Sequence, residues 1–368
     1  MACHRIENDG RSGLHTAQRF SISSRTYCLS AWAPKVHAAE RLSSGRVNAV
    51  CCRVVIKPLL FAVCSALACN SLLAQNPAWQ PSAGHTQVPI WPGNPPDAEY
   101  GPAANTETLE VGETVAGQAT HGIYNVSRPT MTVYSPVGRN TGIGVVVFPG
   151  GGYQGLAIDL EGTEVCDWLT PKGITCVLLK YRVPDSGPRE HQGRYIIPKA
   201  PMALQDAQRT LGLIRYHAAE YHIDPRRVGV LGFSAGGHLA ADISTHFDKR
   251  SYPPLDAADK ESCRPNFAIA LYPGHLWRGS AEFELNHDIP VTHQTPPTFL
   301  LHAENDPEDS VFNSLVYYIA LKRAGVPVEM HLYAEGKHAF GLRRTKDPIT
   351  RWPELVETWL RTIGLISP

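Results

Sequence analysis

The sequence Gly-Phe-Ser-Ala-Gly at residues 232–236 has the spacing that exposes a serine hydroxyl as a nucleophile. It lies between a β-like apolar run at residues 227–231 and a helix-like run at residues 237–243. A sharp strand-to-helix turn lifts the serine Oγ above a sheet, and glycines on both sides leave room for that turn. The start of the following helix would bring N–H groups and a positive dipole end to Ser234. The alternative is an ordinary connection in which Ser234 caps the helix.

A serine hydroxyl is a poor nucleophile without a general base, so the chain must supply a histidine and an acid that orients it. The acid candidate is Asp306, which follows the strand-like run at residues 297–302 and precedes a proline that disfavours helix there. Three further carboxylates share this loop, namely Glu304, Glu308 and Asp309. We interpret them as solvated loop charges, or as first-turn charges of the next helix, where carboxylates are favourable.

The base candidate is His338, on a glycine-flanked loop after the strand-like run at residues 328–333. The chain has 16 histidines, so most of them must be structural or surface residues. His331 lies within that run and could face either side of a sheet, and His302 fits a packing role at a strand end. His238 lies on the helix after the serine and is better explained as a hydrogen-bonding residue. The serine, the acid and the base therefore occur in that order along the chain.

A glycine-rich loop follows the strongly apolar, β-branched run at residues 142–148. Consecutive glycines can point N–H groups into a cavity, where a carbonyl oxygen becomes negative during acyl transfer. We expect Gly151 and Gly152 to form such an oxyanion hole together with the N–H of Ala235, the residue after the serine. The alternative interpretations of this loop are a flexible turn, a P-loop and a dinucleotide-binding site. A P-loop would need a lysine that does not follow these glycines. Residues 150–155 do satisfy G-x-G-x-x-G, but the downstream serine, acid and base explain the loop better.

Six segments together resemble a known family. They are Phe-Pro-Gly-Gly-Gly-Tyr at 148–153, Leu-Lys-Tyr-Arg-Val-Pro at 179–184, Asp-Ala-Gln-Arg at 206–209, Gly-Phe-Ser-Ala-Gly-Gly-His at 232–238, the Asp-Pro loop at 306–307, and Gly-Lys-His-Ala-Phe at 336–340. From residue 89 to its end, the chain resembles an α/β-hydrolase of the esterase and lipase type. More narrowly, it resembles secreted bacterial carbohydrate esterases of the acetylxylan-esterase and BD-FAE-like branch.

The resemblance implies a Ser-His-Asp acyl-enzyme mechanism acting on carboxylic esters, with xylan or a related acylated polysaccharide, or a small ester, as substrate. Two departures are visible. Pro149 stands where many relatives have the histidine of an H-G-G-G loop, and Ala339 follows the base where glycine is more usual. Tyr153, beside the glycines, is assigned to substrate binding because its ring could stack on a sugar. The alternative is that the ring simply packs against other protein side chains.

Apolar runs alternate with helical patterns, which predicts an α/β fold with a mostly parallel central sheet covered by helices on both faces. Predicted strands lie at residues 130–134, 145–148, 175–180, 227–231, 267–272, 298–302 and 328–333, and predicted helices at 162–169, 202–216, 235–245, 311–324 and 353–363. We expect residues 130–134 to be an antiparallel edge strand.

The N-terminal part of the chain has a different character. Residues 1–46 show no sustained apolar period and predict a poorly ordered leader or an over-extended start. Residues 47–75 match a secretory signal peptide, whose apolar segment is too short to span a membrane. Cleavage just before Cys69 would permit a lipid anchor there. We therefore expect a secreted or periplasmic protein, with a proline-rich extension at residues 76–125 and one catalytic domain at residues 126–368.

Composition and cysteine usage narrow the function classes. Lys and Arg total 34, as do Asp and Glu, so no basic excess points to nucleic acid. Three cysteines lie beyond residue 76: Cys166 and Cys176 could form a disulfide or remain buried thiols, and Cys263 is left over. His217 and His222 are five residues apart and do not share a helical face as zinc ligands would. We expect no metal and no cofactor.

Two other functions remain open. A peptidase of the prolyl-oligopeptidase-like kind would use the same chemistry, although that family normally adds a propeller and the segment ahead of the core is short for one. A non-catalytic binding protein is disfavoured by the joint presence of serine, acid, base and glycine loop. Residues 184–198 and 273–297, with Trp277 in the second, are interpreted as a substrate-cleft rim or as surface excursions.

Overall fold

The computed structural model describes residues 79–185, 191–192, 195–196, 201–279 and 283–366. The predicted leader, signal peptide and Cys69 lie outside these residues, as does most of the predicted rim at 184–198. No helix in the described ranges is long and apolar enough to cross a membrane.

The described residues form thirteen strands and five α-helices, besides short 3-10 and π-helical segments. The strands are β1 (Gln87–Pro89), β2 (Thr108–Val115), β3 (Gln118–Tyr124), β4 (Thr130–Tyr134), β5 (Gly144–Phe148), β6 (Gly155–Ala157), β7 (Thr175–Lys180), β8 (His191–Gln192), β9 (Tyr195–Ile196), β10 (Val228–Phe233), β11 (Ala268–Leu271), β12 (Thr298–Ala303) and β13 (Val328–Tyr333). The helices are α1 (Glu164–Leu169), α2 (Pro201–Tyr216), α3 (Ala235–Ile243), α4 (Phe312–Arg323) and α5 (Trp352–Thr362).

Eight strands form the central sheet in the order β1-β4-β7-β5-β10-β11-β12-β13. Six neighbouring strands pair in parallel, in the spatial order β7-β5-β10-β11-β12-β13. Strand β4 pairs antiparallel with β7, and β1 pairs antiparallel with β4. This confirms the predicted mostly parallel α/β sheet. Residues 130–134 do pair antiparallel, but the prediction that they form the edge is wrong, because β1 covers their outer side. A three-residue strand ending in proline gives no periodic signal, although proline is well tolerated at an edge.

The order of the sheet brings the predicted functional loops to one edge. Strands β5, β7, β10, β11 and β12 are buried along their whole length, as expected for apolar strands in a parallel sheet covered by other elements. The glycine loop follows β5, Ser234 follows β10, Asp306 follows β12 and His338 follows β13. Ligands of open α/β sheets bind outside the carboxyl ends of the strands, so this edge is where a site is expected.

A buried ion pair beyond the carboxyl end of β7 joins two of the resembling segments. The Arg182 guanidinium donates from Nε to both carboxylate oxygens of Asp206, at 3.1 and 3.0 Å. The indole N–H of Trp91 donates to the same carboxylate at 2.8 Å. The side chains of Arg182 and Asp206 are 1% and 0% exposed, so the pair is sealed from water. These residues attach the N-terminal extension and β7 to helix α2.

Two further features stabilise the site's supporting structure. Cys166 and Cys176 form a disulfide between α1 and β7 and are not buried free thiols. Cys263 is a buried thiol. Strands β2, β3 and β6 form a separate small sheet, which the sequence patterns did not predict. Because β6 directly follows the glycine loop, pairing of β6 with β3 fixes where that loop ends.

Candidate active site

Ser234 occupies a strained turn between β10 and α3. Its φ of 51° and ψ of −118° fall outside the conformations that non-glycine residues normally adopt. A Cβ on Gly232 would lie 1.9 Å from the Gly236 carbonyl oxygen, and one on Gly236 would lie 2.0 Å from the Phe148 carbonyl oxygen. Only glycine fits at both positions, so the G-x-S-x-G spacing is enforced by backbone packing.

Ser234, His338 and Asp306 are connected by hydrogen bonds. His338 Nε2 lies 3.0 Å from Ser234 Oγ, and His338 Nδ1 lies 2.6 Å from Asp306 Oδ2. The structure thus brings together the three residues that the sequence proposes as nucleophile, base and acid. A histidine bonded this way can take the serine proton through Nε2 while the carboxylate fixes its tautomer through Nδ1. We propose these catalytic roles on this geometry.

The Asp306 carboxylate is held in its ionised form. Its Oδ1 accepts hydrogen bonds from the backbone N–H groups of Glu308 and Asp309, at 2.9 and 3.0 Å. Burial alone would raise the pKa of Asp306, but the bonds from His302 and His338 outweigh it, so this pKa is well below its usual range. His302, interpreted from sequence as a packing residue, also lies 3.3 Å from the Asp306 carboxylate.

His338 has a raised pKa. Burial opposes its protonation, but the hydrogen bond and negative charge of Asp306 outweigh that effect, and the charges of Asp309 and Glu161 add to it. Its loop is anchored because the side-chain oxygen of Asn305 accepts the N–H groups of Gly336 and Lys337, at 3.0 and 2.9 Å. The imidazole is therefore positioned by Asp306 and by a fixed backbone.

The glycine loop lies against the nucleophile, in a cavity of about 380 Å³ lined by Gly151, Gly152, Ser234 and His338. Within the described part of the chain, the N–H groups of Gly151, Gly152 and Ala235 have no hydrogen-bond acceptor. A Cβ on Gly151, whose φ is 131°, would lie 2.2 Å from the Gly155 carbonyl oxygen, so this position requires glycine. We propose that these three N–H groups form the oxyanion hole.

Glu161 anchors the glycine loop, a role that sequence reasoning missed. Its buried carboxylate accepts the Gly150 N–H at 2.7 Å and the Tyr272 hydroxyl at 2.8 Å. The Tyr272 hydroxyl in turn accepts the Gly341 N–H at 3.2 Å, beyond the base. Glu161 thus links the loop after β5 to the loop that carries His338. Burial raises the pKa of Glu161. Nothing in the sequence distinguishes Glu161 from the neighbouring acidic residues Asp159 and Glu164.

This linkage accounts for the absence of an H-G-G-G histidine. Pro149 occupies that position, and its carbonyl accepts a hydrogen bond from the Tyr181 hydroxyl. The N–H of the next residue, Gly150, is taken by Glu161. The loop is therefore fixed from both sides without a histidine.

Tyr153 does not reach the cavity, which corrects its assignment to substrate binding. The side chain is fully buried, and its hydroxyl lies 2.7 Å from Nδ1 of His238. A ring with no exposed surface cannot stack on a sugar, so the packing alternative describes the structure. His238 is the hydrogen-bonding residue that the sequence suggested.

Asp309 is closer to the nucleophile than its interpretation as a solvated loop charge implied. Its Oδ2 lies 3.4 Å from Ser234 Oγ, and its side chain is only 18% exposed. Sequence reasoning misplaced it because the turn after Pro307 folds this carboxylate back over the end of β10.

The pair of histidines considered as metal ligands is not arranged as a metal site. His217 bonds Glu220 on the surface. No group of three or more potential ligands among the described residues is arranged to hold a metal ion.

Comparisons with known proteins agree with this architecture. The BD-FAE family model matches residues 131–270, and the prolyl oligopeptidase family model matches residues 272–362. The solved structure of an acetyl ester-xyloside bifunctional hydrolase from Caldicellulosiruptor lactoaceticus is 31% identical, with a TM-score of 0.60, over 77% of this chain and 97% of that one. The chain belongs to the α/β-hydrolase family. A second solved α/β-hydrolase, MGS-M1 from a Medee basin deep-sea metagenome, is 26% identical with a TM-score of 0.51, over 69% of this chain and 98% of that one.

Two longer curated proteins resemble part of this α/β-hydrolase. An acetylxylan esterase from Xylanibacter ruminicola is 31% identical over 223 residues, which is 55% of this chain and 42% of that protein. Endo-1,4-beta-xylanase B from Butyrivibrio fibrisolvens is 27% identical over 211 residues, which is 53% of this chain and 32% of that protein. The chain therefore spans less than half the length of these two relatives.

Proposed function

We propose that this protein is a serine esterase that removes acetyl groups from xylan or a related polysaccharide. The observation that carries the proposal is the hydrogen-bonded series Ser234, His338 and Asp306 beside a cavity lined by Gly151 and Gly152. The similarity to an acetylxylan esterase and to an acetyl ester-xyloside hydrolase supports the choice of acyl group and alcohol.

The geometry supports a two-step acyl transfer. His338 Nε2 accepts the proton of Ser234 as Oγ attacks the ester carbonyl, and Asp306 stabilises the resulting imidazolium. The N–H groups of Gly151, Gly152 and Ala235 would bind the carbonyl oxygen as it becomes negative. His338 then gives its proton to the leaving alkoxide, which departs as an alcohol. Water, deprotonated by His338, attacks the acyl group and restores Ser234, with acetate as the second product.

Hydrolysis assays test this function directly. Purified protein is given p-nitrophenyl esters of increasing chain length, a feruloyl ester and acetylated xylan, each with Ser234→Ala as control. We expect acetate release from both the small ester and the polymer, and a loss of roughly 10⁴-fold or more in the variant. Turnover that persists in Ser234→Ala would contradict the assignment of the nucleophile, and activity restricted to small esters would remove the polysaccharide from the proposal.

A peptidase is the second candidate, because the prolyl oligopeptidase model matches the segment with the acid and the base. The BD-FAE model matches the segment with the serine and the glycine loop, which favours the esterase. Peptide p-nitroanilides added to the same assays separate the two functions. Cleavage of these amides at rates comparable with the esters would favour the peptidase.

We further propose that the protein is exported. The signal-like pattern at residues 47–75 motivates this, and the Cys166–Cys176 disulfide supports it, because disulfides persist in oxidising compartments. Expression of the full chain in a bacterial host, followed by fractionation and N-terminal sequencing, tests the proposal. A mature protein in the periplasm or medium, starting near residue 76, is expected. Uncleaved protein in the cytoplasm would contradict it.

A further inference from the structure

Asp309 places a second carboxylate at the nucleophile, where the Ser-His-Asp mechanism does not require one. Its Oδ2 lies 3.4 Å from Ser234 Oγ and 3.9 Å from His338 Nε2. Asp306 already bonds Nδ1, on the opposite side of the imidazole ring. Asp309 therefore faces the nitrogen that protonates the leaving group, which is the side where the alcohol part of an ester must lie.

The position of Asp309 is fixed by the same residues that fix the acid. Its N–H donates to Asp306 Oδ1 at 3.0 Å, and its carbonyl oxygen lies 2.9 Å from His302 Nε2. Its carboxylate oxygens lie against the backbone of Gly274, where an added Cβ would be only 2.6 Å away. The carboxylate is thus held in place beside Ser234.

The chemistry of a carboxylate limits what Asp309 can bind. An ionised carboxylate only accepts hydrogen bonds, and an ester of a simple alcohol has no donor to offer. During the reaction, negative charge develops on the carbonyl and leaving oxygens, which the carboxylate repels, and positive charge develops on His338, which the carboxylate stabilises. A substrate hydroxyl close to the scissile ester would shield the repulsion and form a charge-assisted hydrogen bond.

The shape of the cleft has room for such an alcohol. Asp309, His275 and Glu308 line both the cavity at Ser234 and a second cavity of about 430 Å³ that extends to Trp277. Among the described residues that line the two cavities there is no lysine or arginine. A neutral polyol with several hydroxyl donors suits these carboxylates, whereas an anionic alcohol would be repelled.

We propose that Asp309 is a specificity residue that accepts a hydrogen bond from a hydroxyl on the carbon next to the ester-bearing carbon. The enzyme then prefers acetates of vicinal diols and sugars to acetates of simple alcohols. Ser234 Oγ can donate its one proton either to Asp309 or to His338. A substrate hydroxyl that occupies Asp309 leaves the serine proton to His338, so the preference acts on kcat as well as on KM. This inference rests on the esterase function proposed above.

Two substrates of equal size test the preference. 2-Hydroxyethyl acetate and propyl acetate differ only in a terminal hydroxyl against a methyl group, and their kcat/KM values are compared by titrating released acetic acid. The variants are Asp309→Ala and Asp309→Asn. Glu335→Gln serves as the control, because it removes an exposed carboxylate from the neighbouring loop without lining either cavity.

We expect the wild type and Glu335→Gln to favour 2-hydroxyethyl acetate. Asp309→Ala should lower this preference about tenfold or more, by the usual strength of a hydrogen bond to a charged group, with propyl acetate unchanged or faster. The preference of Asp309→Asn should lie between those of the wild type and Asp309→Ala, because the amide oxygen still accepts a hydrogen bond but carries no charge. An unchanged ratio in Asp309→Ala, or an equal loss on both substrates, would overturn the inference. If the wild type hydrolyses neither ester, or Ser234→Ala hydrolyses both, it is the esterase function that fails.

Discussion

Asp206 and Asp306 both have a side chain with no exposed surface and a basic partner, yet only one of them lies at a site for chemistry. Asp206 binds Arg182, whose side chain is 1% exposed. Asp306 binds His338, whose side chain is 12% exposed and whose second nitrogen reaches Ser234 in the cavity. A guanidinium stays charged at any ordinary pH, whereas an imidazole exchanges its proton near neutrality. Burial of a charge pair alone therefore does not indicate function.

Backbone strain at the paired residues themselves is a second difference. Of the eleven described non-glycine residues with positive φ, six lie in or near the cavity, namely Tyr153, Ser234, Tyr272, His275, Lys337 and Ala339, and the other five are Asp97, Asn105, Ala116, Asn125 and His222. Arg182 and Asp206 are not among them. Strained conformations persist only where the surroundings enforce them, and they concentrate at functional sites. The comparison predicts that changes at Asp306 reduce activity, and that changes at Asp206 reduce stability.

The largest expected effect is that of Asp306→Asn on turnover. The amide keeps the shape but can bond the wrong tautomer of His338, so we expect kcat to fall by about 10⁴-fold. Steady-state kinetics on p-nitrophenyl acetate measures this, and circular dichroism checks that the variant is folded. A loss of less than tenfold in a folded variant would mean that another carboxylate supplies the acid.

Asp206→Ala should show the opposite pattern. Removing one partner of a buried pair leaves the Arg182 charge uncompensated, so the free energy of unfolding should fall by about 3–5 kcal/mol. Activity per folded molecule should remain close to that of the wild type. Urea denaturation and active-site titration measure the two quantities.

Glu354→Ala is the matched control for that experiment. Glu354 pairs with Arg344 on the surface, where the two side chains are 58% and 50% exposed. Loss of such a pair should cost less than about 1 kcal/mol. Equal losses in Asp206→Ala and Glu354→Ala, or a strong loss of turnover in folded Asp206→Ala, would contradict a purely structural role for Asp206.

Glu161→Gln should give an intermediate effect, because Glu161 supports the glycine loop and adds negative charge near His338. We expect kcat to fall by about 10- to 100-fold as the oxyanion donors lose their position. KM should change less, since both carboxylate oxygens of Glu161 are already bonded, to the Gly150 N–H and to the Tyr272 hydroxyl. Glu164→Gln, which removes a carboxylate bonded to Arg343 instead, is the control and should leave kcat nearly unchanged.

The pH profile provides a second measurement on Glu161→Gln. His338 must be neutral to accept the serine proton, so activity is lost as the pH falls through its pKa. That pKa is raised above its ordinary value by the hydrogen bond and charge of Asp306, so the acid limb of kcat/KM in the wild type lies at higher pH than for an unperturbed imidazole. Removing the charge of Glu161 should move this limb to lower pH. A shift to higher pH would contradict the electrostatic role of Glu161.

The smallest expected effect is that of Ala339→Gly. Ala339 has a φ of 53°, which costs a residue with a Cβ more than it costs glycine. After the larger chain entropy of glycine is counted, we expect a gain of roughly 0.5–1 kcal/mol in the free energy of unfolding. The control Ala320→Gly, inside α4, should instead lose about 1 kcal/mol. A loss in both variants would show that Ala339 is not strained.

Sequence alone predicted the parts of the site that local turn chemistry specifies. Ser234, Asp306 and His338 each follow a recognisable strand, and parallel strands end at one edge of the sheet. Asp309 and Glu161 could not be placed in this way. Their contacts with Ser234 and Tyr272 depend on how the loops pack, which no local turn pattern specifies.

Elements with weak periodicity were missed for a related reason. The hairpin of β2 and β3 is largely exposed or half-buried on both faces, so it has no alternating pattern to recognise. Tyr153 was misassigned because proximity in sequence to the glycine loop does not fix the direction of a side chain. A positive φ at Tyr153 turns this residue into the core, under the loop.

Detection of the acyl-enzyme tests the role of Ser234 as the nucleophile. Wild-type protein reacting with p-nitrophenyl acetate is quenched in acid within the first turnover, digested and mapped by mass spectrometry. The proposed mechanism requires an acetyl group on the peptide containing Ser234, located on that serine and absent from Ser234→Ala. Turnover without any acetylated serine, or acetylation at another residue while Ser234→Ala stays active, would contradict it.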